Sequence, residues 1–530
     1  MMIPKAITDA ARQWKRSRQW RQTIGQFFDQ IDYPSPDRGR VLHYVGIGAM
    51  YQTPLEILMY HGLRKRGYEV DYLIYDDSPC LNEITTKARI DSEGLEAFWK
   101  RSSSDAYEML RLGKVDFKTI PLSPFASERA AAQKSLDELF QFEHDGIEFG
   151  QIVLGCMYRY YKSLEFGEDA DVVARGMLET ALRNYVCVKK LCQSHSYDFA
   201  MFSHGIYVTW QPVAEFCQRN GLDYVCYDRA KTQNTGNFNL NRPAPDWSFP
   251  TAWDRYIDRK LSEDESDWVT QYLKQRESQD GDVYSYNPVG RAENIAQEKM
   301  RLGIPLDRKV VTVFTNLIWD AANVARDIAF ESCLDCITKT IAHFAGREGV
   351  HVVVRSHPAE AVLGTEQQYG GLIRSQFGNA MPGNVTLVEP ENEVNSFTMI
   401  EMSDVGVVNT STVGLEMAIS GKPIILISET HFRGKGFTYD VEAADDYFAT
   451  LEMLLETGTL KPNQVQLSRK YFFMMMSLYQ QKLPTTYDER GRFTGYICKN
   501  FEQLGDDQPV MRILNQVCDQ LPTDFVYWPE

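Results

Sequence analysis

The chain has 530 residues, 43% hydrophobic and 24% charged, with a formal net charge of −16. That length exceeds one core, so two or more domains are expected in an ordinary globular composition. The acidic balance excludes general nucleic-acid binding, which needs a basic face, and no run of 18 apolar residues offers a membrane span.

Ten cysteines are scattered through apolar stretches and, with no signal peptide, read as reduced core residues of a cytoplasmic protein. Cys333 and Cys336 form one CxxC without a second pair. On a helix that spacing is two residues of one face rather than a metal or redox site. The first thirty residues interleave Lys5, Arg12, Lys15, Arg16, Arg18 and Arg21 with Trp14, Trp20, Ile24 and Phe27. Such a helix suits a peripheral membrane contact or a first helix packed on the body, and packing is the favoured reading.

Arg40 to Tyr75 is the first α/β unit, with a strand at Val41–Ile47, a helix at Thr53–Arg66 and a strand at Val70–Tyr75. Gly46 and Gly48 form a GxG without the third glycine of a dinucleotide fingerprint. It reads as a tight loop where backbone approaches something, an acceptor sugar or the other domain. Residues 81–190 read as helical, with no chemistry above background. The α/β pattern resumes with strands at Phe199–Phe202 and Tyr224–Tyr227, and His204 and Asp228 fall at their ends. Ligands in open α/β sheets bind at such ends, so these two are the catalytic candidates, as base or acceptor-orienting groups. Each alone serves equally well as a hydrogen-bonded structural residue.

Residues 241–286 read as a long connection carrying a helix at Glu263–Gln275. Val310–Phe314, Val352–Val354, Val405–Val408 and Ile424–Ile427 are then the short β-branched runs of a second parallel sheet. Thr412 to Ser420 is a helix opened by the hydroxyls of Thr410, Ser411 and Thr412, an arrangement that favours an anion. Asn316, Asp320, Arg355, His357, Arg433 and Lys435 lie on loops at one sheet edge. Together they predict a phosphate-bearing ligand, most simply a nucleotide. No Asp-x-Asp stands at a strand end near these loops, so no metal and no cofactor are expected.

The segments SHGIYVTWQPVAEFCQRNGLDYVCYD, FTNLIWDA, VVRSHPAE, VNTSTVGLEMAISGKPIILI and HFRGKGFTYD resemble bacterial capsule or surface polysaccharide biosynthesis proteins of the GT-B glycosyltransferase type. The resemblance spans roughly residues 200–440. It implies an α/β fold of two Rossmann-like domains facing a central cleft, with extra helices. The expected division is an acceptor-side domain over 1–287, a nucleotide-sugar-binding domain over 288–462, and helices over 463–530 packing back on the first domain. The implied activity is metal-independent transfer of a sugar from a nucleotide-sugar donor to a glycan or lipid-linked glycan acceptor.

By that resemblance His357-Pro358 contacts the donor phosphate, Thr410, Ser411 and Thr412 cap it, and Glu416 holds the ribose hydroxyls. Related Kdo transferases carry a Glu-Asp-Gly stretch near the place of Cys226-Tyr227-Asp228. This chain lacks it, so neither Kdo as donor sugar nor Asp228 as nucleophile carries over. A sugar-nucleotide epimerase of the same fold and a non-catalytic subunit of an assembly complex are the alternatives.

Overall fold

The computed structural model describes residues 14–48, 51–120, 135–278, 289–488, 491–519, 524–526 and 528. Its first sheet contains β1 (Gly39–Gly46), β2 (Tyr68–Tyr75), β3 (Phe117–Ile120), β4 (Phe199–Ser203), β5 (Tyr224–Arg229) and β6 (Thr235–Leu240). Their order is β6-β5-β4-β1-β2-β3, all parallel except β6, which returns antiparallel on β5. The second sheet contains β7 (Lys309–Phe314), β8 (Val350–Arg355), β9 (Val385–Val388), β10 (Val405–Val408), β11 (Ile424–Leu426) and β12 (Tyr439–Asp440). Its order is β12-β11-β10-β7-β8-β9, with every pair parallel.

Both sheets therefore have the doubly wound order in which the chain starts centrally, runs to one edge, and restarts beside its first strand. Every residue of β8 and β10 is buried, as β-branched runs covered on both faces should be. Cys336, Ile337 and Ile341 of the helix Cys333–Phe344 cover one face. Leu415, Met417 and Ala418 of the helix Val413–Ile419 cover the other. All ten cysteines are free thiols. Two Rossmann-like domains facing a cleft are thus present, as expected.

Two expected boundaries move. Phe249, Trp253, Val269 and Tyr272 share a core with Phe314, Val408 and Leu415. The chain thus passes into the second domain near residue 249 rather than at 287, because the 241–286 connection carries its own apolar helical face. The expected 463–530 segment also divides. Tyr471, Phe472 and Met474–Met476 belong to that same second-domain core. The chain returns to the first domain only beyond them: β13 (Gln481–Lys482) pairs antiparallel with β6, and Val510, Met511 and Leu514 join Leu58 and Leu63.

At the N-terminus Trp20, Ile24, Phe27 and Phe28 are buried in the first-domain core, and Ser17 donates to Glu108 at 2.8 Å. The described part of the basic helix is therefore a packed element; Lys5 and Arg12 lie outside the described residues. No helix among the described residues is long and apolar enough to cross a membrane.

Gly46 and Gly48 have a packing role instead of the expected acceptor role. Gly46 has φ +68°, and a Cβ there would lie 2.5 Å from Thr209 Cγ2. A Cβ on Gly48 would lie 2.2 Å from Ala106 Cβ. Neither glycine lines the interdomain cleft.

Beneath this strand end Glu56 is buried, accepting from Tyr72 Oη at 3.3 Å and Tyr227 Oη at 3.2 Å. Burial pushes its carboxyl from 4.5 up to about 8, against the smaller opposing pull of the two phenols. The folded state thus holds a proton that the unfolded chain releases near 4.5. The associated stability is full below that value and is lost as pH rises through about 8. Thermal melts of the wild type should show a midpoint contribution falling over this window, and Glu56→Gln should lack it. Parallel pH profiles for the two proteins would contradict the assignment.

Candidate functional site

The crevice between β7 and β10, where the second sheet reverses its strand order, is where a parallel sheet accepts ligand. The loops after β7, β8 and β10 meet there. They line a cleft of about 430 Å³ that continues into an adjoining hollow of about 290 Å³. Thr315, Asp320, Arg355, His357, Ser411, Thr412 and Glu416 line the larger space, and Asn316 and Thr410 the smaller.

Several of these side chains are locked in place. The His357 backbone N–H donates to Thr315 Oγ1 at 3.0 Å, and its ring Nδ1 accepts from the Ala359 N–H at 3.1 Å. That second bond leaves the neutral ring's proton on Nε2. Burial, then Arg355 and Lys231, push the His357 pKa down to about 4, so the imidazole is neutral near pH 7. Asn316 Nδ2 donates to Thr410 Oγ1 at 3.0 Å, and Thr410 Oγ1 donates to Asn323 Oδ1 at 2.7 Å. Thr410 and Asn316 therefore brace the β10 loop, while Ser411 and Thr412 stand in the larger space. The next helix, Val413–Ile419, is only two turns long, so hydroxyls and side-chain donors matter more here than its dipole.

Glu416 is buried, with Oε1 2.6 Å from Arg276 Nη2. Arg276 comes from the helix Glu263–Glu277, the element that the sequence reading treated as a connection. Arg355 is also buried, but it spends its guanidinium on the Glu389 carbonyl at 2.6 Å and the Val394 carbonyl at 3.3 Å. Burial pushes its pKa down to about 10. It borders the cleft while clamping the loop after β9.

The first domain closes the cleft from the opposite side, with residues at the ends of β4 and β5. His204 comes after β4 in the left-handed region (φ +58°) and Asp228 is the penultimate residue of β5. The two meet, Nε2 to Oδ2 at 3.3 Å. His204 stacks on Trp210 with centroids 6.1 Å apart and meets Tyr207 at 5.0 Å. Burial lowers its pKa, while Asp228 pulls the other way. Nδ1 of His204 is buried without a hydrogen-bond partner, and the two side chains are about equally exposed, 24% for His204 and 22% for Asp228. Sequence reasoning left these two residues separate; the structure makes them a dyad.

Two expected ligand contacts are corrected. Arg433 does not reach the cleft: it donates to the carbonyls of Leu426, Ser428 and Val441 and pairs with Glu442, tying down its own loop. Lys435 is buried with Nζ 5.7 Å from the Trp253 ring centroid and also lies outside the cleft. Their place is taken by cations that the sequence reading passed over.

Arg159 arrives from the helix Phe149–Tyr161, inside the stretch read as free of chemistry. It donates to the Glu83 carbonyl at 3.0 Å and to Tyr207 Oη at 3.4 Å. Lys231 stands three residues beyond Asp228 on the same strand end, which is the one signal that could have found it. Among the described residues no group of three or more His, Cys, Asp or Glu side chains could hold a metal ion.

No curated protein matches the chain. Among solved structures, the beta-Kdo 2,4 transferase KpsC of Thermosulfurimonas dismutans is 14% identical, covering 58% of this chain and 86% of that one, with a TM-score of 0.35. Its beta-Kdo 2,7 transferase is 13% identical over 58% and 84%, with a TM-score of 0.33. The UDP-GlcNAc 2-epimerase from Neisseria meningitidis is 10% identical over 82% and 98%, with a TM-score of 0.24. Likenesses this distant say nothing about activity. The sequence itself says more: over residues 285–457, which contain the second sheet and the loops of its crevice, it matches the family of capsule polysaccharide biosynthesis proteins.

Proposed function

We propose that the protein is a glycosyltransferase that moves a sugar from a nucleotide-sugar donor to a growing surface or capsular glycan. One observation carries the reading. The strand-reversal crevice of the second sheet and the ends of β4 and β5 in the first line a single cleft, with an anion-compatible wall on one side and a His–Asp dyad on the other.

The donor nucleotide lies on the second domain. His357, Ser411 and Thr412 take its phosphate, and Glu416, one helical turn (~5.4 Å) further on, takes the ribose diol. Arg276 holds the Glu416 carboxylate in one orientation through their 2.6 Å ion pair. The acceptor, a glycan or lipid-linked glycan, enters from the first domain and presents a hydroxyl to Asp228. Asp228 removes the proton and His204 orients the carboxylate. Fixed cations and N–H donors in a water-poor cleft can stabilise a leaving phosphate without a metal.

Glu416→Gln keeps the shape of the side chain but loses a charged hydrogen bond worth roughly 1.5–3 kcal/mol. Ribonucleotide affinity should fall about ten- to a hundred-fold by calorimetry. The 2′-deoxynucleotide should bind the wild type weakly and the variant almost equally. Unchanged ribonucleotide affinity in the variant would remove Glu416 from the donor site.

In a transfer assay run in EDTA, wild-type turnover should persist. Asp228→Ala should lower it by about 10²–10⁴-fold, the usual worth of a general base, and His204→Ala by less. Nucleotide affinity should stay near wild type in both. Activity that needs Mn²⁺ or Mg²⁺ would overturn the metal-free reading, and full turnover in both variants would place the base elsewhere.

A further inference from the structure

Two of the loop cations expected at the phosphate wall of the second domain, Arg433 and Lys435, are engaged elsewhere, and a third, Arg355, donates to the Glu389 and Val394 carbonyls. A different cation reaches it from across the cleft. Lys231 lies between β5 and β6 of the first domain, yet its Nζ donates to Thr412 Oγ1 of the second domain at 3.4 Å. The same ammonium sits 4.5 Å from the Trp247 ring centroid, which holds its position. It borders both parts of the cleft. It also lies near enough to His357 and His431 to depress the pKa of each, after burial, so both rings beside it are neutral. The Thr412 hydroxyl and two neutral imidazoles thus lie beside the ammonium, and one of them, His357, keeps its proton on Nε2.

We propose that the donor phosphate is bound across the domain boundary, with the Lys231 ammonium of the first domain and the Thr412 hydroxyl and His357 Nε2–H of the second converging on it. This deepens the transferase reading and rests on it. Neither domain alone carries the complete anion site. Phosphate therefore favours the closed cleft, because it binds only the state in which both sides are in place. As the bond between sugar and phosphate breaks, its electron pair stays with the phosphate oxygen, and Lys231 faces the charge that develops there. A nucleoside, which lacks phosphate, gains nothing from Lys231. That distinction separates a ligand contact from a merely structural lysine.

The test uses the full chain with Lys231→Met and Lys231→Arg. Calorimetry and ligand-observed NMR measure CMP, UDP, GDP and dTDP, each beside its own nucleoside. For the nucleotide that binds wild type best, Lys231→Met should lose about ten- to a hundred-fold in affinity, Lys231→Arg should recover part of it, and nucleoside binding should be the same in all three proteins. Unchanged nucleotide affinity in Lys231→Met, or an equal loss for the nucleoside, overturns the cross-domain site and leaves the transferase reading standing. Failure of wild type to bind any of the four nucleotides overturns both.

Discussion

A parallel sheet whose strand order reverses cannot cover its own reversal. The crossovers on either side of the switch point leave in opposite directions, and the loops between them part. In this protein the order reverses twice, between β1 and β4 and between β7 and β10; the second reversal opens on the cleft, whose opposite wall comes from the ends of β4 and β5. The groups proposed for the chemistry stand at the ends of β4, β5, β8 and β10 or on the loops after them, or on helices that seal the side of the space. The sheets are stiff because their strands are buried on both faces, so a few strand-end residues can be held in register across a domain boundary.

The chemistry divides along the same line. The second domain supplies hydroxyls, the neutral His357 ring and a buried carboxylate, Glu416, whose charge is met by Arg276 from the helix Glu263–Glu277. The first domain supplies the His204–Asp228 pair and, in Lys231, a cation aimed at its neighbour. A buried carboxylate left unpaired would be costly, and a buried ion pair by itself adds little stability. The pairing of Glu416 with Arg276 is thus better understood as orientation than as stabilisation. It also accounts for residues 249–277 belonging to the second domain: their helix forms a wall of the site.

Much of this was legible in the sequence, and the boundary of legibility is physical. Strands such as β8 and β10 announce themselves as short β-branched runs ending in polar residues, and His204, Asp228 and His357 became candidates by standing where such runs end, whereas Glu416 came from the family resemblance. β3, β6 and β9 were not found. Phe117–Ile120 carries a lysine and a threonine on a half-exposed edge, Thr235–Leu240 is rich in asparagine and returns antiparallel, and Val385–Val388 is a half-exposed edge strand of four residues. Arg433 and Lys435 were misjudged because a loop cation looks the same in sequence whether it faces a ligand or its own carbonyls. Arg159 was invisible because it sits among the apolar residues of an interior helix, and only tertiary packing brings that helix to the cleft. Gly46 and Gly48 signalled a close approach correctly, but what approaches is Thr209 and Ala106, not a ligand.

In the proposed reaction, donor and acceptor meet in one cleft and exchange a glycosyl group there. The most direct measurement is nucleotide release from a panel of CMP-, UDP-, GDP- and dTDP-sugars, with and without capsular oligosaccharide acceptors, tracking both the freed nucleotide and the elongated glycan. Release should require acceptor and match one new glycosidic linkage for each nucleotide freed. Interconversion of the donor sugar without acceptor, as an epimerase would give, or no turnover of any donor that binds, would contradict it.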